Sequence, residues 1–328
     1  MNPQLTGMLG KSEVTAGKAV EVLLSRLIDY AGLFPPAGLG MLPAVTNYDS
    51  YLRSEYSWML GRFIVPAGRL NEFDEALGQL TAADSTPRNP THRRVRDEWG
   101  TLGVSALLGT DLAADIARIA EFNERTSNSA NGRNAVIESV EMKTESSAEI
   151  VRMAEIMPRE LAAYFEIPLA GREGECIAAV AECGCRAKIR TGGETADKFP
   201  DSAQVIDFVR RCADAKVPFK ATAGLHHPMR SVHRLTYQPD SPSAMMHGFL
   251  NLFLAAAFVR AGLETGASVE LLEERSSASM QLDAEGVGWR EHRLGWRELA
   301  QARQDFAVSF GSCSFTEPID DLRSLGLL

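Results

Sequence analysis

The chain has no run of about 18 apolar residues that could cross a membrane and no cleavable-signal pattern at its start, so a reducing cytoplasm is the expected compartment. Cysteine is scarce and odd in number, with Cys176, Cys183, Cys185, Cys212 and Cys313 the whole complement. Cys183-Gly184-Cys185 places one residue between its thiols where zinc and redox motifs place two, and no second pair completes it. The five therefore read as buried structural thiols, and no metal or cofactor is expected. No Gly-x-Gly-x-x-Gly follows the first strand and no Walker sequence occurs, so the usual nucleotide signatures of open α/β sheets are missing. Positive charge is also in deficit. A net charge of -9 argues against a general binder of nucleic acid or membrane surfaces. Any basic site is local, and the partner it suggests is a small anionic metabolite; a homo-oligomer stays open.

What is present fits one large unit. The 328 residues, 45% apolar and 23% charged, can build a sizeable core, and α/β barrels run to about 250 residues as single domains. After a polar lead-in from Met1 to Val14, Ala19, Val20, Leu23, Leu24, Leu27 and Ile28 recur at helical spacing and predict a helix ending near Tyr30. Asp29 to Gly38 is rich in glycine and proline yet apolar, and reads as an ordered loop plugging one end of a barrel; the alternative is that Asp29 caps a helix or enters a site. A second helix is expected from Pro43 to about Leu60, with an apolar stripe of Tyr48, Tyr51, Leu52, Tyr56 and Met59. Residues 1–61 thus form a helical extension packed on a barrel of residues 62–328.

From Arg62 onward strands and helices alternate, the sign of a parallel sheet. Strands are expected at Phe63–Val65, Gly103–Leu108, Ala135–Met142, Leu161–Leu169, Cys185–Arg190, Val217–Thr222 and Phe306–Phe310. A basic loop containing His92, Arg93, Arg94 and Arg96 reads as a solvated excursion, Thr126 to Arg133 as a loop, and 263–297 as an irregular insertion with a hairpin at Met280–Trp289. Seven strands are found and an eighth is not placed. The expected fold is an α/β, TIM-like (β/α) barrel, closed or nearly closed, with a doubly wound open sheet as the alternative.

In such a barrel the active site lies at the carboxyl ends of the strands. Side chains alternate across a strand, so Arg186, Lys188 and Arg190 share one face and Lys220 and Thr222 share one on the next strand. Glu141 with Lys143, and Glu166, occupy the matching places on two other strands. Buried parallel strands are normally apolar, so these charges need a reason: a structural ion-pair cluster or a site for an anionic carbonyl compound. In the second reading Lys220 is a nucleophile toward carbonyls, with its pKa lowered by Lys188 and Arg190, and Glu166 or Glu141 is the acid/base. Its place on the sixth predicted strand is similar to that of the Schiff-base lysine of class I aldolases, a likeness of position and not of motif. Two glycine-bearing loops could hold phosphate or carboxylate: Arg190-Thr191-Gly192-Gly193, and Gly311-Ser312-Cys313-Ser314 before a helix near Pro318. His226, in His226-His227-Pro228, is a further candidate, as acid/base or as a metal ligand with Glu166, whereas His247 in its apolar helix reads as a satisfied core histidine.

The phrases Asp29-Tyr30-Ala31-Gly32-Leu33-Phe34-Pro35-Pro36, Ala187-Lys188-Ile189-Arg190-Thr191-Gly192-Gly193, Phe219-Lys220-Ala221-Thr222-Ala223-Gly224-Leu225-His226-His227-Pro228 and Phe310-Gly311-Ser312-Cys313-Ser314-Phe315 resemble a group of uncharacterised bacterial proteins. The resemblance covers nearly the whole chain and implies a single compact unit without implying a mechanism. Three functions stay open at this point: an aldolase- or lyase-like enzyme for a small anionic carbonyl compound, a phosphoribosyltransferase, and a non-catalytic anion sensor. The second rests on the spacing of Lys220, Thr222, Gly224 and Leu225, which is similar to a stretch in quinolinate-type phosphoribosyltransferases, although their acidic pair for magnesium is not evident.

Overall fold

The computed structural model describes residues 17–84, 101–127 and 135–328. The expectations for the polar lead-in, for His92 to Arg96 and for nearly all of the loop ending at Arg133 lie outside the described residues.

Eight parallel strands close into a barrel. They are β1 (Ile28–Tyr30), β2 (Leu60–Pro66), β3 (Leu102–Leu107), β4 (Ala135–Lys143), β5 (Ala162–Glu166), β6 (Arg186–Arg190), β7 (Phe219–Thr222) and, late in the chain, β13 (Ala307–Ser312). Neighbours follow sequence order from β1 to β7, and β13 sits between β7 and β1 to complete the ring. The strand that the sequence pattern does not reveal is β1. It lies where the end of the first helix and the start of an ordered loop are expected: helix α1 (Lys18–Leu24) stops early, and Ile28 pairs with both Phe310 and Leu60. A closed ring leaves no sheet edge, which excludes the open-sheet alternative.

Strand β1 shows why a segment with an acid in it can be core. Alternation turns Tyr30 outward against Tyr48, Tyr51 and Phe63, and turns Asp29, fully buried, into the barrel. Outside the ring, the strands' other faces meet the helices. Helix α2 (Met41–Leu52) supplies Tyr48, and α3 (Leu70–Asp84) supplies Phe73, which stacks on Phe63. Burying each such ring contributes roughly 1.5–3 kcal/mol.

Helices α4 (Leu112–Ser127), α5 (Ser147–Glu155) and α6 (Glu173–Glu182) follow β3, β4 and β5 in turn, and α7 (Ser202–Asp214) joins β6 to β7. This last crossover illustrates how local sequence fixes an element. Asp201 Oδ1 accepts from Gln204 N (2.8 Å) and Gln204 Oε1 from Asp201 N (3.0 Å), a reciprocal capping box that starts α7. Val205, Ile206, Phe208, Val209 and Cys212 recur at helical spacing and are buried. The chain then turns through Lys216 at φ 55° and enters β7.

The segment after β7 departs from expectation. The sequence here reads as a polar loop through Pro242 followed by an apolar helix from Ala244 to Ala261, but an antiparallel hairpin forms from β8 (Ser231–Arg234) and β9 (Ser243–Met246). Helix α8 (Phe249–Arg260) follows; it is apolar on every side because it is covered by the barrel through Phe310 and by α9 (Thr265–Glu273) and α10 (Trp296–Asp305). The irregular insertion is α9 with a three-stranded sheet, β10 (Met280–Leu282), β11 (Gly286–Trp289) and β12 (His292–Gly295). The last helix, α11 (Thr316–Ser324), begins just beyond β13. No helix among the described residues is long and apolar enough to cross a membrane.

Candidate functional site

Branched apolar side chains usually fill a (β/α) barrel. This interior is charged instead. Glu166, Lys188 and Lys220 lie side by side in register on β5, β6 and β7, and Glu141 and Asp29 reach in from β4 and β1. Lys220 Nζ donates to Asp29 Oδ2 and to Glu141 Oε1, both at 2.6 Å. Lys188 Nζ lies 3.0 Å from Glu141 Oε2 and 2.9 Å from Glu166 Oε2. Arg190 Nε donates to Glu166 Oε1 at 2.9 Å. The order Asp29, Lys220, Glu141, Lys188, Glu166, Arg190 therefore alternates in sign, three carboxylates against three cations. Each charge has its opposite at contact distance, which is the condition for tolerating burial.

Neutral groups complete the belt. Ser105 Oγ donates to Glu141 Oε1 (2.7 Å), Ser139 Oγ to Ser105 Oγ (2.9 Å) and Ser309 Oγ to Asp29 Oδ2 (2.8 Å). Asp29 Oδ1 accepts from the Arg62 amide (2.7 Å). Gly61 makes this approach available, because a Cβ there would stand 2.3 Å from Asp29 Oδ1. The expectation that neighbouring cations lower the pKa of Lys220 is overturned. Burial does oppose its charge, but the Asp29 and Glu141 carboxylates outweigh burial and raise it well above the usual lysine range. Likewise burial opposes ionisation of Glu141, and the Lys220 and Lys188 ammoniums hold its carboxyl well below the usual range. Burial opposes ionisation of Glu166 too, and Lys188 and then Arg190 outweigh it and lower the carboxyl.

Above the belt, at the carboxyl ends of the strands, opens a cavity of about 590 Å³. Glu141, Lys143, Lys188, Arg190, Gly192, Gly193, Thr222, His226 and Gly311 line it, so most of the residues singled out from sequence meet in one place. Lys220 does not line it. Its ammonium lies beneath the floor, 1% exposed, with the Tyr164 ring 5.3 Å from Nζ. Glu166 also lies behind the lining. Thr191 is fully buried and its hydroxyl donates to the carbonyls of Thr222 (3.2 Å) and Ala223 (2.6 Å), fastening the loop after β7 to the loop after β6. Gly192 and Gly224 meet at that seam: a Cβ on Gly192 would stand 2.8 Å from Gly224 Cα and 2.5 Å from the Phe199 ring.

The second proposed anion loop is organised differently. Gly311 and Cys313 face the cavity, but Ser312 is buried, with its Oγ accepting from Ser314 N (3.3 Å), and Ser314 Oγ accepts from Glu317 N (3.1 Å) at the start of α11. These hydroxyls shape the turn, and Glu317 places a carboxylate where an anion would sit. Phe34, Pro35 and Pro36, on the loop after β1 beside that of β13, form another part of the wall.

At the rim, His226 Nδ1 lies 3.1 Å from Glu317 Oε2, and His227 Nδ1 lies 2.6 Å from Asp321 Oδ2. Tyr237, on the loop of the β8–β9 hairpin, brings its hydroxyl 3.4 Å from the same Glu317 Oε2 and 3.6 Å from Cys313 Sγ. His247 is buried with Nε2 on the Pro200 carbonyl (2.8 Å) and Nδ1 beside Arg230 (2.9 Å), a satisfied structural role. Among the described residues, no group of three or more His, Cys, Asp or Glu is placed to hold a metal ion.

Sequence reasoning gives Asp29 a place in a site only as the alternative to a plugging loop, and it assigns no role to Ser105, Ser309, Glu317 or Tyr237. The signal for Asp29 is a lone acid inside the apolar run Leu27-Ile28-Asp29-Tyr30; the others carry no local signal, since only the closed ring brings them together. No protein-family model, curated protein or solved structure matches the chain. Function has to be read from these residues themselves.

Proposed function

We propose that the cavity is the active site of an enzyme for a small anionic carbonyl compound, with Lys188 as the group that meets the carbonyl oxygen. One observation carries this reading: Lys188 lines the cavity floor while its ammonium is fixed by Glu141 and Glu166. An ammonium has three N–H donors. With one directed to each carboxylate, the third would serve a ligand. A fixed donor aimed at developing negative charge stabilises an enolate without reorganisation, which is the strongest contribution such a site can make. Arg190, Lys143 and Lys198 around the same cavity supply positive charge for the acid group of the substrate. A Schiff base on Lys220 is less well served, because that nitrogen lies beneath the floor and already donates to two carboxylates.

The test is thermal stabilisation by a panel of pyruvate, 2-oxobutyrate, oxalate, small sugar phosphates and phosphoribosyl pyrophosphate. A ligand at 100 times its Kd stabilises by roughly 2.7 kcal/mol. The expected result is stabilisation by the oxo acids and oxalate in the native protein and its loss in Lys188→Met. Stabilisation by phosphoribosyl pyrophosphate alone would favour the phosphoribosyltransferase reading, and an unchanged response in Lys188→Met would remove Lys188 from the site.

A further inference from the structure

Lys188 can hold an enolate oxygen, but the belt has no good acceptor for the proton that must leave. Glu141 already accepts from Lys220 and Ser105 and pairs with Lys188, and Glu166 accepts from Arg190 and pairs with Lys188. A carboxylate loaded with donors is a weak base. The acceptor has to come from elsewhere in the cavity wall.

Among the cavity-lining groups outside the belt that could take a proton, Glu194, Cys313 and His226, His226 is the one held by a carboxylate partner. It lines the same cavity as Lys188 but comes from the loop after β7. Its Nδ1 faces Glu317 Oε2 at 3.1 Å. Burial opposes ionisation of Glu317, yet the His226 hydrogen bond and neighbouring histidines hold its carboxyl below the usual range. An ionised carboxylate only accepts, so this hydrogen bond puts a hydrogen on Nδ1, and the neutral tautomer it selects has its lone pair on Nε2. Nε2 makes no hydrogen bond to any described residue. Glu317 is itself fixed from three directions: its backbone amide donates to Ser314 Oγ (3.1 Å), Tyr237 Oη lies 3.4 Å from Oε2, and His227 Nε2 lies 4.0 Å from Oε1. This is the arrangement that holds a histidine in one tautomer and orientation.

We infer that His226 is the catalytic base of this site, that Glu317 is its positioning residue, and that the substrate is a 2-oxo acid with a removable proton on the carbon beside its carbonyl. This rests on the proposal that the cavity binds an anionic carbonyl compound. In the step, the C–H bond breaks and its proton passes to Nε2. The electron pair forms a carbon–carbon double bond, and the carbonyl π pair moves to oxygen, where the Lys188 ammonium receives it. In deuterated water the imidazolium exchanges its proton with solvent and returns a deuteron to the same carbon.

The experiment is proton NMR of pyruvate and 2-oxobutyrate in deuterated water with the full-length protein. The native protein is expected to exchange the protons next to the carbonyl. His226→Ala is expected to exchange about 10²-fold more slowly or worse, with added imidazole restoring part of the rate. Glu317→Gln is expected to slow exchange as well, without rescue by imidazole, because its own ring is present but misdirected. His226 loses its role as base if oxo acids stabilise the native protein but no exchange occurs, if His226→Ala exchanges like the native protein, or if imidazole restores nothing. If oxo acids fail to stabilise the native protein at all, the reading of the cavity fails first and the base falls with it.

Discussion

Lys220→Met is the perturbation whose cost follows most directly from the buried belt. The side chain is 1% exposed and its ammonium touches Asp29 and Glu141 at 2.6 Å each. At 2.6 Å each contact is worth about 6 kcal/mol at an effective dielectric near 20, but bringing each ion out of water costs several kcal/mol. Removing only the cation leaves two desolvated carboxylates behind, and the net loss expected from such a break is about 3–5 kcal/mol. Serine hydroxyls and the Arg62 amide still reach these carboxylates, which argues for the lower end of that range. In the variant a buried carboxylate without its cation binds a proton more readily than it does in the unfolded chain, so acid relieves the loss. In urea titrations the gap between native protein and Lys220→Met should therefore be widest near pH 8 and narrow toward pH 5. Adding Asp29→Asn should recover part of the loss. A gap below about 1 kcal/mol, or one that does not narrow with acid, would refute the description of the belt as a set of mutually dependent charges.

Other outcomes are expected from the same geometry. Glu141, Glu166 and Glu317 have folded pKa values below their unfolded ones, so the stability they contribute is present above about pH 4.3 and is lost as pH falls further; urea midpoints between pH 7 and pH 3 should show it. Gly192→Ala drives a methyl into Gly224 Cα and the Phe199 ring and should cost about 1–3 kcal/mol, read by the same titration. Arg303 is buried and donates to the carbonyls of Leu23, Ser25, Ala307 and Val308, tying the approach to β1 onto β13; Arg303→Met strands these acceptors and should cost roughly 3 kcal/mol. Borohydride added with pyruvate should leave Lys220 unmodified in peptide mapping, and an adduct on Lys220 would refute its assignment as a fixed ammonium.

Seven of the barrel strands are legible in the sequence because each is an apolar or alternating run set between helices, and the basic alternation of β6 by itself points to the interior. Strand β1 is not, for physical reasons. It has three residues, one is an acid, and it runs on from a helical pattern into glycine and proline, so its pairing is decided by Phe310 and Leu60 far along the chain. The same limit governs the charges. Alternation places Glu141, Glu166, Lys188, Arg190 and Lys220 on one inner face, but it cannot say which cation has which neighbour. With Asp29 hidden, Lys220 looks crowded by cations and reactive, whereas the closed ring surrounds it with carboxylates. Glu317 is invisible as a partner of His226 because 91 residues separate them.

The most direct measurement is a crystal structure of the protein soaked with oxalate, which copies the planar enolate of pyruvate. The expected result is one oxygen about 3 Å from Lys188 Nζ and the far carboxylate directed toward Arg190 and the Gly192–Gly193 loop, with Lys220 still held by Asp29 and Glu141. Oxalate bound away from Lys188, or an empty cavity at a concentration that saturates any thermal stabilisation, would contradict the proposed role of Lys188.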